Sequence, residues 1–443
     1  MVSSLAALLA TVVSVGSADA LLAPAGAEFQ VNSYTTAAQY DADVAPVSAG
    51  NFVVVWTSYL QDDSCGGVFG QRVAVDGSPA GTEFQVSIST VGYQQSPAVA
   101  GRPAGNFMVV WEDDYYAINC PDRIMGRLYD ATGAPTTGEL LVSTSAFPCG
   151  VAAADVAAIG DDDFMVVWQS LPAGVDQTEI VAQRISETGA KVGTEFQVNT
   201  YTTQHRDDPA IASRSDGSFV VIWGGRSSST DADIRGQRFD TNAAALGTEF
   251  RINTYTTGQQ LEPHVAAEES GGFVAAWRSN DQDGELAGVY GQRFDAAGVP
   301  AGTEFRVNVY TTSSQGYAGI DVACAPAGDF VLTWNSFGQD GDDSGVLVRG
   351  FAASGAPLSA ELFANRYTPN SQRRSSIAAD ANGDFVVVWD SYTQDGDYHA
   401  VIGRRMMLLQ RRYRYDRRIE QLVLDRVHTR STHRPSRAVL RLG

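Results

Sequence analysis

The chain has seven tryptophans, Trp56, Trp111, Trp168, Trp223, Trp277, Trp334 and Trp389, and their spacings are 55, 57, 55, 54, 57 and 55 residues. Each ends an apolar run such as FVVVW (Phe52 to Trp56) or FVLTW (Phe330 to Trp334), with Phe always four residues earlier. Twelve residues before every Trp stands a Val or Ile followed by Ala: Val44, Val99, Val156, Ile211, Val265, Val322 and Ile377. That interval never changes. The chain is therefore a string of near-identical units, and such units bury their apolar faces by stacking on one another. Short β-branched runs separated by Gly and Asp turns at this period indicate propeller blades rather than helical solenoids.

Four strands per unit account for the pattern, named a to d from the axis outward. Strand a is the small-residue VA segment, and strand b is the FVVVW run, apolar at nearly every position as an interior strand covered on both faces should be. Strand c is the GVYGQRFD type (Gly288 to Asp295), and strand d is TEFQVN, alternating as a half-exposed outer strand does. The interval from strand c to the Glu of strand d is constant, whereas the b–c and d–a connections vary in length. Strand direction alternates, so both variable loops emerge on one face, where binding is expected. A lone strand d, Glu28 to Asn32, precedes the first full unit, and the last unit, Ile377 to Arg404, has no strand d of its own. The expected fold is an all-β, seven-bladed propeller spanning residues 26–405, closed by the amino-terminal strand completing the last blade, which removes two sheet edges.

Charge is very unevenly placed. Residues 1 to 403 carry a formal charge of -29, and residues 404 to 443 hold 12 of the 31 basic residues. An acidic body of this kind repels nucleic acid and anionic membranes and favours cations or neutral polar ligands. The leader has an apolar run from Leu5 to Val15, too short to span a bilayer, and ADA at Ala18 to Ala20 fits a small-x-small cleavage site, so residues 1–20 read as a signal peptide. A secreted or cell-surface monomer is expected, without integral membrane contact. The Arg-rich segment 406–443 breaks the repeat. It reads as an appended tail, disordered or weakly helical, or as a basic amphipathic helix for a membrane surface or an acidic partner.

The units resemble the tandem GTEFQVNTYTT…FVVVW…QDG…GQRFD repeats of secreted or surface-attached bacterial proteins. That resemblance covers residues 26 to 403 and implies an exported, repetitive binding or adhesion module. It carries over no catalytic residue.

The chain lacks HExxH, paired-Cys metal spacing and a GxSxG elbow, so zinc and acyl-transfer chemistry have no support, and no catalytic residue is assigned. The b–c loops hold Asp281, Asp283, Asp340, Asp342, Asp343, Asp395 and Asp397 beside tight Gly turns. Such loops can gather hard oxygens around Ca2+, although Asp and Gly are also ordinary turn formers. The d–a loops carry Tyr34, Tyr201, Tyr255, Tyr310 and Tyr367, which could stack on a sugar ring or cap the crossover between blades. The Arg of GQR (Arg72, Arg184, Arg238, Arg293) reads as a structural partner for the nearby strand-d Glu. Cys120 and Cys149 are the preferred disulfide on the variable face, and Cys324 reads as a small buried residue. Two functions remain open: an extracellular recognition or adhesion module for a polar or carbohydrate ligand, with Ca2+ as a candidate cofactor, and a propeller hydrolase using loop carboxylates.

Overall fold

The computed structural model of the chain describes residues 22–409, apart from 64, 115–122, 145–149, 161, 173–175 and 229–230. The leader 1–20, the tail from 410 onward, and both Cys120 and Cys149 lie outside the described residues. Seven antiparallel sheets follow one another around a ring, six of them with their strands in sequence order from the axis outward. The first blade has strand a at Gln39–Pro46, b at Phe52–Ser58, c at Gly67–Val73 and d at Phe84–Gln85. In the seventh, strands Gln372–Ala379, Asp384–Tyr392 and His399–Leu408 are completed by two amino-terminal segments, Leu22–Pro24 and Phe29–Gln30. Their registers are Leu22 opposite Leu408 and Phe29 opposite Gly403, so the two ends of the chain share one sheet. Strand c of this blade runs past Arg405 through the fully buried Met406 to Leu408, beyond the point where the sequence repeat fades.

The recurring residues are recurring contacts. All seven tryptophans and the Phe four residues before each are buried between neighbouring blades. Where strand c ends in an aromatic, as in four of the blades, the Phe ring stacks on it, Phe273 on Phe294 at 4.7 Å and Phe219 on Phe239 at 4.9 Å. The strand-d Phe then lies over the strand-c Gly of GQR. A Cβ on Gly70 would stand 2.8 Å from the Phe84 ring, and one on Gly403 would stand 2.7 Å from Phe29. Phe29 thus repeats in the closing blade the contact made by Phe84 in the first. Leu22 joins the core between the sixth and seventh blades, and Val31 the core between the seventh and the first.

The Glu of TEF links each blade to its predecessor. Thr200, in the crossover leaving the third blade, donates its amide and hydroxyl to Glu249 of the fourth, both at 3.0 Å. The same clasp joins Ser33 to Glu83, Thr144 to Glu195 and Thr254 to Glu304. Glu28 takes the Arg366 amide, so the amino-terminal strand also closes this ring of clasps. The second oxygen of these carboxylates accepts from the Gln of the QD loops: Gln282 to Glu304 at 2.6 Å and Gln394 to Glu28 at 3.1 Å. The GQR arginines were expected to meet this Glu and do not. Arg72, Arg184 and Arg238 reach across to the c–d turn of the next blade, donating to Thr132, Thr241 and Ala296 carbonyls, and Arg293 pairs with Glu268. The shorter Gln is nearer to the Glu, while the Arg is long enough to span a blade.

Removing residues 1 to 35 exposes strand c of the seventh blade and strips Leu22, Val31 and the Glu28 clasp. Burial of the two aliphatic side chains alone accounts for about 3 kcal/mol, so a lowered melting temperature or aggregation is expected, and an unchanged melt would defeat this closure. Glu249→Ala removes the buried carboxylate that accepts both the Thr200 amide and its hydroxyl, and a loss of about 1–3 kcal/mol in urea unfolding is expected for these charge-assisted hydrogen bonds.

Candidate functional site

Strand a of every blade contains a β-bulge. The break falls between Tyr40 and Asp43 in the first, between Arg373 and Ser376 in the seventh, and at the equivalent place in the five between. At its centre the chain turns left-handed: Asp41, Ser96, Ala153, Asp208, Glu262 and Arg374 have φ between 48° and 54°. Such φ values in residues other than Gly cost about 1–3 kcal/mol each and persist where surrounding structure holds them. In three of them the residue after the Trp of the preceding blade supplies an acceptor. Glu112 takes the Ala153 amide at 2.6 Å, Thr57 the Ser96 amide at 3.1 Å, and Asp390 the Asp41 amide at 3.3 Å.

These bulges ring one end of an axial cavity of about 710 Å³. Strand a arrives from the d–a crossover, so the bulged end opens on the face that carries the variable loops. Further along strand a, small residues line the wall, Ala45, Ala100, Ala157, Ala323 and Ala378 among them. The mouth is acidic, with Asp41, Asp43, Asp155, Asp208, Glu262 and Asp321 in its wall against two bases, His264 and Arg374.

The carboxylates are fastened across blades. Asp43 accepts the Val99 amide of the second blade at 2.8 Å, Asp155 the Ile211 amide of the fourth at 2.8 Å, and Asp321 the Ile377 amide of the seventh at 2.8 Å. Ser376 Oγ lies 2.8 Å from Asp43 and 3.1 Å from Asp321. His264 Nδ1 is 3.4 Å from the other oxygen of Asp321. This places the carboxylate between serine and imidazole, so Ser376 has no neighbouring base of the kind that activates a nucleophile. On the rim, Arg374 is held by Asp41 at 2.9 Å and Asp390 at 3.2 Å, with its guanidinium over the Tyr40 ring at 5.3 Å. Tyr40 stacks on Tyr59 at 5.4 Å, and Tyr59 meets Tyr93 edge-on at 6.3 Å. The three half-buried rings lead outward from the mouth across the first two blades.

Depth in the wall governs protonation. Burial pushes Asp43 up to about 7, helped by the negative charges of Asp321 and Asp155 and opposed by the Val99 hydrogen bond. Burial likewise raises Asp155 to about 6 and Asp208 to about 6. Behind the wall, burial raises Glu112 to about 7 and Asp390 to about 7. Burial alone would lower the His264 imidazole, but its hydrogen bond to Asp321 and the surrounding carboxylates carry it above its ordinary value.

The residues singled out from the sequence lie elsewhere on the same face. Tyr34, Tyr201, Tyr255, Tyr310 and Tyr367 sit one to a blade junction, each main-chain carbonyl accepting from the Asn two residues earlier, and none lines the cavity. The Tyr201 ring is exposed, whereas the Tyr367 hydroxyl meets Thr393 at 3.3 Å. The loop aspartates make turns and crossover links within or beside their own blades. Asp283, Asp340 and Asp395 accept from the amide two residues on, at 3.3 Å each, while Asp342 and Asp397 take the Asn370 and Ala37 amides at 2.8 Å. Asp281 adopts a positive φ at the start of its turn, and the Asp343 carbonyl closes its loop on the Gly338 amide. Among the described residues no three His, Cys, Asp or Glu side chains gather as a metal site. Cys324 is half-buried and Cys65 exposed, neither in a disulfide. The acidic mouth was missed because strand a was read for its constant VA. The residue just before it varies, as Asp43, Ala98, Asp155, Ala210, His264, Asp321 and Ser376, and polar residues on a strand of otherwise small residues were the available signal.

No protein-family model matches the chain, and no curated protein matches it. Among solved structures, a protein of unknown function from Dyadobacter fermentans superposes with a TM-score of 0.52 at 8% identity, covering 87% of this chain and 99% of that one. A fungal alcohol oxidase of the AA5 family, solved with copper, gives 0.50 at 10% identity, over 86% of this chain and 76% of that one. A Fusarium graminearum α-L-arabinofuranosidase with an iminosugar inhibitor gives 0.48 at 12% identity, over 71% and 93%. At these identities the likeness is one of fold. No helix among the described residues is long and apolar enough to cross a membrane.

Carboxyls whose folded pKa exceeds the unfolded value bind protons more tightly when folded, so their contribution to stability declines as pH rises from about 4 through about 7. Asp43, Asp155, Asp208, Glu112 and Asp390 all act this way, and the raised His264 acts in the same direction. His399, lowered to about 4 mainly by burial, opposes them alone among the resolved histidine and acid shifts of this size. A melting temperature at least about 5 °C higher near pH 5 than near pH 8 is expected, with the gap reduced in Asp43→Asn. A rising profile would refute this assignment.

Proposed function

We propose that the protein is an extracellular recognition module that binds a polar, polyhydroxylated ligand in the mouth of its axial channel. One observation carries the reading: a 710 Å³ cavity, within the size range of ligand pockets, whose polar mouth opens on the variable-loop face beside half-buried aromatic rings. Carboxylates and hydroxyls supply acceptors for sugar hydroxyls, and the Tyr40, Tyr59 and Tyr93 rings offer apolar faces for stacking. The apolar leader with its small-residue cleavage pattern supports export, and the repeat resemblance supports a surface or secreted role. The site proposed from the sequence, the crossover tyrosines, shares this face and is a separate place for a ligand to dock. The Asp-Gly loops are the place where Ca2+ would act.

A second reading, a hydrolase, has a specific observation in its favour. Asp43 is pushed up to about 7 among other carboxyls, so one group can hold a proton while a neighbour is ionised, as acid–base hydrolysis requires.

A glycan array run with Ca2+ and with chelator tests both. Binding that is lost in Tyr59→Ala and Asp208→Asn but kept in Tyr255→Ala places the ligand in the channel mouth, and the reverse pattern places it on the crossovers. If Tyr255→Ala and Tyr310→Ala lose thermal stability in proportion to binding, those tyrosines are packing residues. Bound glycans recovered intact after long incubation would eliminate the hydrolase.

A further inference from the structure

The third residue after each Trp stands at the variable-face end of strand b. It is aromatic in three blades, Phe337 in the sixth, Tyr392 in the seventh and Tyr59 in the first, and it is Asp114, Leu171, Arg226 and Asn280 in the other four. Closure makes these three blades neighbours, since the seventh packs on both the sixth and the first. Each of the three rings is half-buried and meets another ring of its own blade: Phe337 meets Tyr317 at 6.5 Å, Tyr392 meets His399 at 5.0 Å and Tyr59 stacks on Tyr40 at 5.4 Å. Tyr93 carries the row onto the second blade, 6.3 Å from Tyr59. One side of the rim is thus an arc of rings.

Packing does not demand this arc. The contacts that hold the blades together recur around the ring, whereas the arc occupies a single run of blades. The sixth blade is also rebuilt to make it. Between Gln315 and Asp321 its strand a holds five residues, where the first blade has three between Gln39 and Asp43 against the matching stretch of strand b. The extra length lifts Tyr317 to the rim, where it is 54% exposed. Gly316 turns the chain at φ 75°, and Gly319 lets the insert lie on the seventh blade, since a Cβ there would stand 2.9 Å from the Arg374 amide nitrogen. Arg278 of the fifth blade covers the Tyr317 ring at 5.0 Å and is held by Glu262 at 3.1 Å. Arg374, Tyr40 and Tyr59 repeat that layering of guanidinium, ring and second ring, although Arg374 comes from strand a and Arg278 from strand b. An arrangement reached from two different positions of the repeat belongs to the rim rather than to the scaffold.

A row of apolar rings interleaved with ion pairs fits one kind of partner better than others. Sugar rings carry apolar C–H faces that stack on aromatics and hydroxyl edges that hydrogen-bond to charged groups beside them. A protein with an apolar contact core would bury the Arg278–Glu262 and Arg374–Asp41 pairs at a desolvation cost. Nucleic acid is repelled by the formal charge of -29 over residues 1 to 403. Rings spread over four consecutive blades cannot all be covered by one sugar unit. Resting on the channel reading above, we propose that the arc from Tyr317 to Tyr93 is an extended subsite, and that the ligand is a linear neutral oligosaccharide laid along the rim, rather than a single sugar.

An array of linear neutral gluco-, xylo-, manno-, galacto- and arabino-oligosaccharides of one to six units, read with the full chain, tests this. At least one series is expected to bind about tenfold more tightly at four units than at one and to gain little beyond. Tyr317→Ala, at the end of the arc, should remove that gain and leave the single unit unchanged, and Tyr317→Phe should keep it. Tyr201→Ala, a similarly exposed tyrosine away from the arc, should change nothing. A melting temperature that falls along with binding in Tyr317→Ala makes the ring a packing residue and overturns the arc. So does a series in which one unit binds as tightly as six, or a gain with length that survives Tyr317→Ala. If Asp208→Asn abolishes binding in those cases, the arc falls and the channel reading stands. If the unaltered protein binds no series, both fail.

Discussion

The whole molecule depends on burial between blades. A four-stranded sheet with apolar residues on both faces of strand b cannot be covered by itself, and each Phe and Trp of that strand finds its cover on a neighbouring sheet. Stacking in a line would leave two uncovered ends. Curving into a ring removes them only if the last blade is complete, and Leu22–Pro24 and Phe29–Gln30 complete it from the other end of the chain. Non-directional burial would let neighbouring blades slide. The directional part comes from the strand-d glutamates, each holding the crossover of the preceding blade, and from the arginines that reach the following c–d turn.

The same ring geometry creates the site. Seven innermost strands converge on one axis, and a bulge in each turns its main chain left-handed at the mouth. Backbone amides of one blade then point at carboxylates of another, so Asp43, Asp155 and Asp321 serve as fasteners and as the wall of the cavity at once. A carboxylate held by a main-chain amide keeps its place when the cavity fills. Burying these charges without a full set of cations costs stability at neutral pH, and that cost is concentrated where a ligand would dock. Strain and electrostatic frustration thus meet at the mouth.

The conserved-looking stretches turned out to describe scaffold. In TEFQVN, Glu is the clasp, Phe fills the space above the strand-c Gly, and Asn ties strand c to the crossover through its side chain. In the QD loops, Gln holds the clasp Glu and Asp caps the turn. These roles must be filled at every junction, which is why the motifs recur and why none of them lines the cavity.

What the sequence determined by itself was the repeat, the number of blades, the four-strand unit and the closure, because packing between identical units imposes the same residues at the same interval each time. The variable face was legible for the same reason, since loops that escape packing can change length. The tertiary structure alone decided where the chemistry gathers. Asp43, Asp155, His264, Asp321 and Ser376 lie about 50 to 330 residues apart and carry no motif, and their meeting depends on ring closure bringing one position of every strand a to a common axis. Positions that differ from blade to blade look like noise along a chain, and they become a site when the blades are set in a circle.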